Sequence, residues 1–564
     1  MIGVQAARRR GRGHTPGMVN LAGAMIVTLI VAVLALRASP STPPEIAEFA
    51  PTAHQQIKNA PPEQNSTVGK GPGVGNGLAT PTPTPPPTAP AAAQAAQPTP
   101  PPQVNHCVGT PPRQIEDPQS PPCVPFWSGT NPGATYKGVT ASTITVALPT
   151  SDGSLPQWEQ DLATFFNERF EFYGRKIQLV AFQDPGNHAD APPESSYQSE
   201  ATAVDQQIHA FASLNMTDSG GGEITYYDDL ASEGIISVGS ENVMREGEGH
   251  ADAHAPYEWR LFPGFDVVAD TYGKYVCTSL KGGVASHAGT GIQGKPRVFG
   301  MLVTKYTDNF APDVSPITDE LNACGITIAD TETQTYDLNQ CDSCFAQESQ
   351  QVMLNFRQKN VTSILCVCHA APMWLGDMPA AQSQSYFPEW VMSGYGIYDW
   401  DLNQQAFGGP VKQEVADEFG LSWANKSIPT NQLPIMAAIH EVDPTYNLSD
   451  SDAHQDTRDY LGMLMLASGI QMAGPNLTPQ TFQAGLFKTQ FPDPGADGPP
   501  YYQAEVGFGP SHSFFHSSSA IWWSNSDAST WGGGAGAFCW SDHGVRQPQQ
   551  AWKLPDDAQK EPCY

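Results

Sequence analysis

From residue 142 onward the chain repeats one local pattern, a short β-branched run followed by an amphipathic run, and this alternation restricts the fold more than any other feature. Residues 142–148 (STITVAL) alternate and are rich in Thr, Ile and Val, which predicts a strand; the turn-rich stretch 149–156 follows. Trp158, Leu162, Phe165, Phe166 and Phe170 then recur at helical spacing, with Gly174 placed to end the helix, and residues 176–182 (KIQLVAF) predict a second strand. The pattern continues with a helix over 195–211, a strand near 212–216, a helix over 224–231 and a strand over 235–239 (IISVG).

After the segment 260–263 (RLFP) the spacing predicts a helix over 267–280 and a strand over 297–303. Helix–strand pairs follow at 314–323 with 326–335 and at 345–358 with 361–368. Strands alternating with helices predict parallel sheets covered on both faces, and the break near Pro263 divides them into two lobes. Late in the chain, residues 456–473 predict a long helix. Thr478 and Pro479 suit the cap and first position of another, and residues 519–523 predict a strand in an aromatic tail.

The alternation does not begin at the N-terminus. Arg8, Arg9, Arg10 and Arg12 in a basic tail (1–16) precede an apolar run within 17–37, long enough to cross a bilayer as a helix with its N-terminus inside; a cleaved signal is the alternative. Residues 38–136 predict a disordered stalk, because the run TPTPTPPPTAPAAAQAAQPTPPP at 80–102 excludes helix interiors and sheets and favours polyproline II. All ten cysteines lie beyond residue 100, which fits disulfides formed in an oxidising compartment. Cys107 with Cys123 and Cys539 with Cys563 are candidate local pairs. The pairing of Cys277, Cys324, Cys341, Cys344, Cys366 and Cys368 stays open, and the clusters 341–344 and 366–368 also admit a metal or redox reading. With 57 acidic against 28 basic residues and a net charge of -29, the chain is not suited to nucleic acid.

The order of these elements resembles the type 1 periplasmic-binding-protein family, in particular the branched-chain amino-acid receptors of ABC transporters. Residues 138–146 (GVTASTITV) look like that family's opening strand and 174–180 (GRKIQLV) like its second. Residues 259–263 (WRLFP) sit where the family crosses into its second lobe, and 459–474 resemble the long helix after the return crossing. The resemblance implies a two-lobed solute-binding domain over 137–564, with lobe 1 about 137–263 and 430–505 and lobe 2 about 264–429 and 506–540. It also implies a small polar ligand, by family default an amino acid or amide, delivered to an ABC permease or a membrane sensor. No cofactor and no enzymatic activity are implied. The six mid-chain cysteines and the lack of a Cys just after the apolar run depart from the family pattern.

Open parallel sheets bind ligands beyond the carboxyl ends of their strands, and the loops there supply the candidate ligand-binding residues. Ser151 and Asp152 follow the first strand, and Gly221 and Gly222 belong to a glycine run before a helix, where exposed N–H groups suit a carboxylate. Ser240 and Glu241 follow residues 235–239, and Tyr306 and Tyr395 are placed to cover the ligand from the second lobe. Each has a bland alternative as an ordinary turn, loop or surface residue. His250, Asp252 and His254 have a spacing that can hold a divalent metal, but their Gly/Ala-rich surroundings favour a polar surface loop. A second functional reading, a disulfide-stapled surface domain for protein or wall contact, rests on Trp522, Trp523, Trp531 and Trp540; packing of those indoles in the core is the simpler expectation.

Overall fold

The computed structural model describes residues 106–548 except 151, 184–193, 215–222, 241–246, 307–310, 337–341, 395–410, 427, 492–504 and 530–534. The expected transmembrane segment and the proline run lie outside the described residues, as does any contact they make. No helix among the described residues is long and apolar enough to cross a membrane.

The first sheet is built from β1 (Thr143–Thr150), β2 (Lys176–Gln183), β3 (Ala212–Leu214), β4 (Ile236–Ser240) and β5 (Glu258–Arg260). They lie in the order β2-β1-β3-β4-β5, and every pairing is parallel. Helices α1 (Gln157–Arg169), α2 (Glu194–Ala203), α3 (Glu223–Ser232) and the short α4 (Glu248–Ala253) connect them. The aromatic stripe anticipated in α1 is inward: Leu162, Phe165 and Phe166 are buried, and Phe170 caps the core just past its end.

The second sheet comprises β6 (Phe299–Tyr306), β7 (Asp330–Tyr336), β8 (Ser363–Val367), β9 (Glu389–Met392), β10 (Glu418–Ser422), β11 (Ser518–Ser529) and β12 (Ala535–Trp540). Its parallel part runs β7-β6-β8-β9-β10, repeating the order of the first sheet, and the antiparallel β11 and β12 extend it beyond β10. Helices α5 (Phe265–Tyr275), α6 (Ser315–Ala323) and α7 (Asp342–Gln358) belong to this half. Cys277 and Cys324 form a disulfide between the segments following α5 and α6. The first sheet's strands end at Arg260 and α5 begins at Phe265, so the break anticipated at Pro263 is the first crossing between the sheets.

The chain returns through residues 423–433 to α8 (Pro434–Val442), α9 (Asp450–Ala473) and α10 (Pro479–Lys488), then passes back to β11. Ser449 caps α9 by accepting from the Asp452 N–H at 3.1 Å, six residues before the helix start expected from apolar spacing. Thr478 and Thr481 form a reciprocal capping box on α10, with Pro479 in its first turn. Gly239 in β4 has φ +87, and a Cβ there would stand 3.1 Å from the Gly462 Cα, so α9 lies directly on the strand.

Three crossings are tied together by hydrogen bonds. The Arg260 N–H donates to Ser513 O at 2.8 Å, the Phe515 N–H to Arg260 O at 2.9 Å and the His516 N–H to Leu261 O at 3.0 Å. Trp423 O, on the second crossing, lies 3.1 Å from His516 Nδ1 and accepts from Arg546 Nη2 at 3.0 Å. Burial and the adjacent Arg546 cation push the His516 imidazole down to about 3, so it stays neutral.

The expected stalk is shorter than residues 38–136. The compact unit begins at Gln103, and residues 106–136 form a strap on the first half, closed by the Cys107–Cys123 disulfide. Ile115 is buried, Tyr460 Oη donates to Asp117 Oδ2 at 2.9 Å, the Trp127 N–H donates to Glu171 Oε2 at 2.9 Å and Thr135 Oγ1 donates to Leu477 O at 2.7 Å. Composition alone reads this proline-rich segment as unfolded. Partners more than 300 residues away satisfy its polar groups instead.

Candidate binding site at the strand ends

In a parallel sheet ordered 2-1-3-4-5, connections leave the first strand in one direction and the third in the other, and a crevice opens at their carboxyl ends. Both sheets have this order, so the two switch points lie beyond β1 and β3 in one and beyond β6 and β8 in the other. Of the sequence-derived candidates, Ser240 is the last residue of β4, in register with Arg260 of β5, and Tyr306 is the last residue of β6, in register with Tyr336 of β7. Asp152 lies in the loop after β1. Its Oδ1 accepts from the Ser154 N–H at 2.9 Å and Ser154 Oγ at 2.5 Å, which makes it a turn-forming carboxylate. Ser151, Gly221, Gly222, Glu241 and Tyr395 lie outside the described residues.

The sequence reading passed over the end of β8. There His369 is half-buried, and its N–H donates to the buried Thr304 Oγ1 of β6 at 2.7 Å, which joins the two strands that flank the second switch point. The adjacent Cys366 and Cys368 are joined to each other, so the C-x-C motif is a local disulfide and not a metal site. Cys539 is also disulfide-bonded.

Two groups of buried acids lie where β5 and where β9 and β10 begin. In the first half, Glu258 begins β5 with its side chain 1% exposed. Its Oε1 lies 3.3 Å from Arg260 Nε, and its Oε2 lies 3.2 Å from His250 Nδ1 and 3.7 Å from His254 Nδ1. Desolvation opposes its charge, yet the two imidazoles and Arg260 prevail and hold its carboxyl down at about 2. Glu248 stands on the other side of Arg260 at 3.5 Å, accepting from the Gly264 N–H at 3.1 Å and from the Ser513 N–H at 3.2 Å. His250 is pushed up to about 10 by Asp228 and Glu258. The expectation of a polar surface loop over 250–254 is therefore corrected. The segment forms α4 and its cap residue, and both histidines are partly buried against acids that sequence proximity did not reveal.

In the second half, Glu389 begins β9 and forms a bidentate pair with Arg297 (Nε to Oε2 2.9 Å, Nη2 to Oε1 3.0 Å), also accepting from Ser363 Oγ at 2.5 Å. Around it, Glu414 accepts from Trp390 Nε1 at 3.0 Å and Glu418 from Trp374 Nε1 at 2.5 Å. Burial raises both to about 8. Asp417 is raised to about 9 by burial and by the neighbouring acids. These three face indoles and one another, and they are held as acids by protons. The indoles expected in the core are there: Trp522 and Trp540 are buried and Trp523 packs partly buried against the core, while Trp531 lies outside the described residues.

No family model matches the chain, and no curated protein matches it either. Solved structures do. A solute-binding protein of an ABC transporter from Rhodopseudomonas palustris, in complex with 4-hydroxybenzoate, is 12% identical, with a TM-score of 0.49 over 73% of this chain and 98% of its own. A periplasmic binding protein from Burkholderia mallei is 11% identical, with a TM-score of 0.49 over 74% of this chain and 98% of its own. A fatty acid ABC transporter substrate-binding protein from Thermomonospora curvata is 14% identical, with a TM-score of 0.45 over 72% and 93%. All three are binding proteins.

Proposed function

We propose that the chain captures a small polar solute between its two α/β halves, at the strand ends around the two switch points. The observation that carries this reading is the repetition of one parallel strand order in two sheets joined by three tied crossings. Such an arrangement presents two sets of strand-end loops on bodies that can turn relative to each other. Ser151, Asp152, Gly221, Gly222, Ser240 and Glu241 would serve the first set, and Tyr306, Tyr395 and His369 the second. Of the proteins named above, one is in complex with 4-hydroxybenzoate and another is named for a fatty acid transporter, so an amino acid or amide is one class to test among several.

The reading extends to location and partners. Four arginines before an apolar run and the paired cysteines of the folded part support a domain held outside the cell by an N-terminal membrane helix, handing its solute to an ABC permease or a sensor. The reading is of capture and release without turnover. Burial of Trp522 and Trp540 takes two of the four indoles out of any protein- or wall-contact surface at that tail.

Thermal unfolding of the full chain against a panel of amino acids, amides, aromatic carboxylates and fatty acids tests the proposal. A true ligand at about 100 times its Kd stabilises the folded state by about 2.7 kcal/mol and also lowers the radius of gyration in solution scattering. A panel that moves neither quantity sinks the solute-binding reading.

A further inference from the structure

Beyond solute capture, and independently of it, we propose that Asp228, His250 and His254 form a binding site for a divalent transition metal of the zinc class, with Glu258 orienting the His250 imidazole. The three ligand atoms lie within 4.8 Å of one another. His250 Nε2 is 2.9 Å and His254 Nε2 3.5 Å from the same atom, Asp228 Oδ1. Ligands bound at about 2.0–2.1 Å in a tetrahedron stand about 3.3–3.4 Å apart, so the two edges from Asp228 Oδ1 are already close to those of a zinc coordination sphere.

The local structure explains how the residues meet. His250 lies on α4, and His254, its C-cap residue, follows one turn later, which brings the rings to 4.4 Å between centroids. Asp228 comes from the middle of α3 and closes the site from the other side. Asp252, the carboxylate between the histidines in sequence, is engaged elsewhere by Ser511 Oγ at 2.7 Å. A reading of local spacing alone therefore picks the wrong acid.

Two further observations point to a metal rather than an ion-pair cluster. Each imidazole turns one nitrogen to Asp228 and the other to Glu258, which is itself backed by Arg260. A buried carboxylate behind the distal nitrogen is the usual way a protein fixes the tautomer and orientation of a metal-binding histidine. In addition, Asp228 Oδ1 is shielded from solvent but makes no well-aligned hydrogen bond, although both imidazole Nε2 atoms lie within 3.5 Å of it. Groups arranged for one another would align; groups arranged around a common point would not. Two nitrogens and one oxygen suit zinc-class ions over calcium or magnesium, which prefer all-oxygen shells. Three protein ligands leave a fourth position, which in a zinc site of this kind is taken by water.

The test uses the untagged full chain stripped of metal, titrated with Zn2+ by calorimetry and with Co2+ by visible absorption. One equivalent of each binds, and the Co2+ spectrum is that of a four-coordinate nitrogen/oxygen site. H254Q, at the more exposed histidine, and D228N each lower Zn2+ affinity by a hundredfold or more with unchanged far-ultraviolet circular dichroism. E258Q keeps the stoichiometry but weakens binding about 10–100-fold, as expected for a positioning residue. Absence of binding of both metals to the wild-type chain overturns the proposal. So does Zn2+ binding that H254Q and D228N leave unchanged, which would mark ions held elsewhere on an acidic surface.

Discussion

Around β5 and around β9 and β10 the protein buries acids in opposite ways. In the first, Glu248 and Glu258 are neutralised by side chains, Arg260 between them and two imidazoles beyond, and Glu258 stays ionised down to about pH 2. In the second, Arg297 serves Glu389 alone, and Glu414, Asp417 and Glu418 hold protons up to about pH 8 or 9. The first solution fixes geometry, because every charge has a partner in a defined direction. The second leaves stability dependent on the medium, because a proton comes from solution.

Substitutions that remove one side of each arrangement sharpen this contrast. Arg297→Met leaves the fully buried Glu389 without its cation and is expected to cost about 3–5 kcal/mol in urea unfolding, the largest effect among single changes proposed here. Next comes the disulfide of the second half. Replacing both Cys277 and Cys324 by serine opens a loop of sequence separation 47 and is expected to cost about 2–4 kcal/mol, with no matching effect from reductant on contacts around Glu258. In the first half, Glu258→Gln removes a charge that serves three cations and is expected to cost about 2–3 kcal/mol at pH 6.

The same substitution in the second half gives the smallest effect and the clearest test. Glu418 is already protonated at pH 6, so Glu418→Gln changes stability there by no more than about 0.5 kcal/mol. Its consequence appears on raising the pH. A carboxyl raised in the folded state binds a proton that the unfolded chain has lost, so its stabilising contribution is complete below about pH 4 and disappears as pH rises through about 8. With Glu414 and Asp417 behaving alike, the melting temperature falls between pH 6 and pH 9, and Glu418→Gln makes that fall shallower by up to about 1.4 kcal/mol per pH unit. His516 acts in the opposite sense, since an imidazole depressed to about 3 withdraws stability as pH falls from about 6.5 toward 3. Glu159 and Asp456, raised by burial to about 8 and about 7, add to the fall in melting temperature, so the second half's share is read from the Glu418→Gln difference. A difference flat from pH 6 to 9 would show that Glu418 has found a cation of its own.

The contrast also marks where the fold was legible in the sequence. Strands made of alternating or continuous apolar residues, such as β1, β2, β4 and β8, declare themselves by period. Three of the strands that escaped, β5, β9 and β10, each begin with a buried glutamate: Glu258, Glu389 and Glu418. A carboxylate inside a sheet is affordable only with a partner, and the partners here are Arg297, 92 residues from Glu389, and Trp374, 44 residues from Glu418. Local pattern cannot carry that information. The candidate site fared similarly. Strand ends could be counted from the alternation, which placed Ser240 and Tyr306 on the last residues of β4 and β6, but His369 depends on where β8 stops, and Asp228 meets the histidines only through the packing of α3 on α4.

The tied crossings have a mechanical consequence. Three connections that were free to flex separately would let the halves shear, twist and splay. Knotted at Arg260, Leu261, Trp423 and His516, they leave rotation about that knot as the softest mode. Glu248 grips the knot through Gly264 and Ser513 from the first turn of the helix that carries His250, so an ion seated beside that helix would pull on the axle itself.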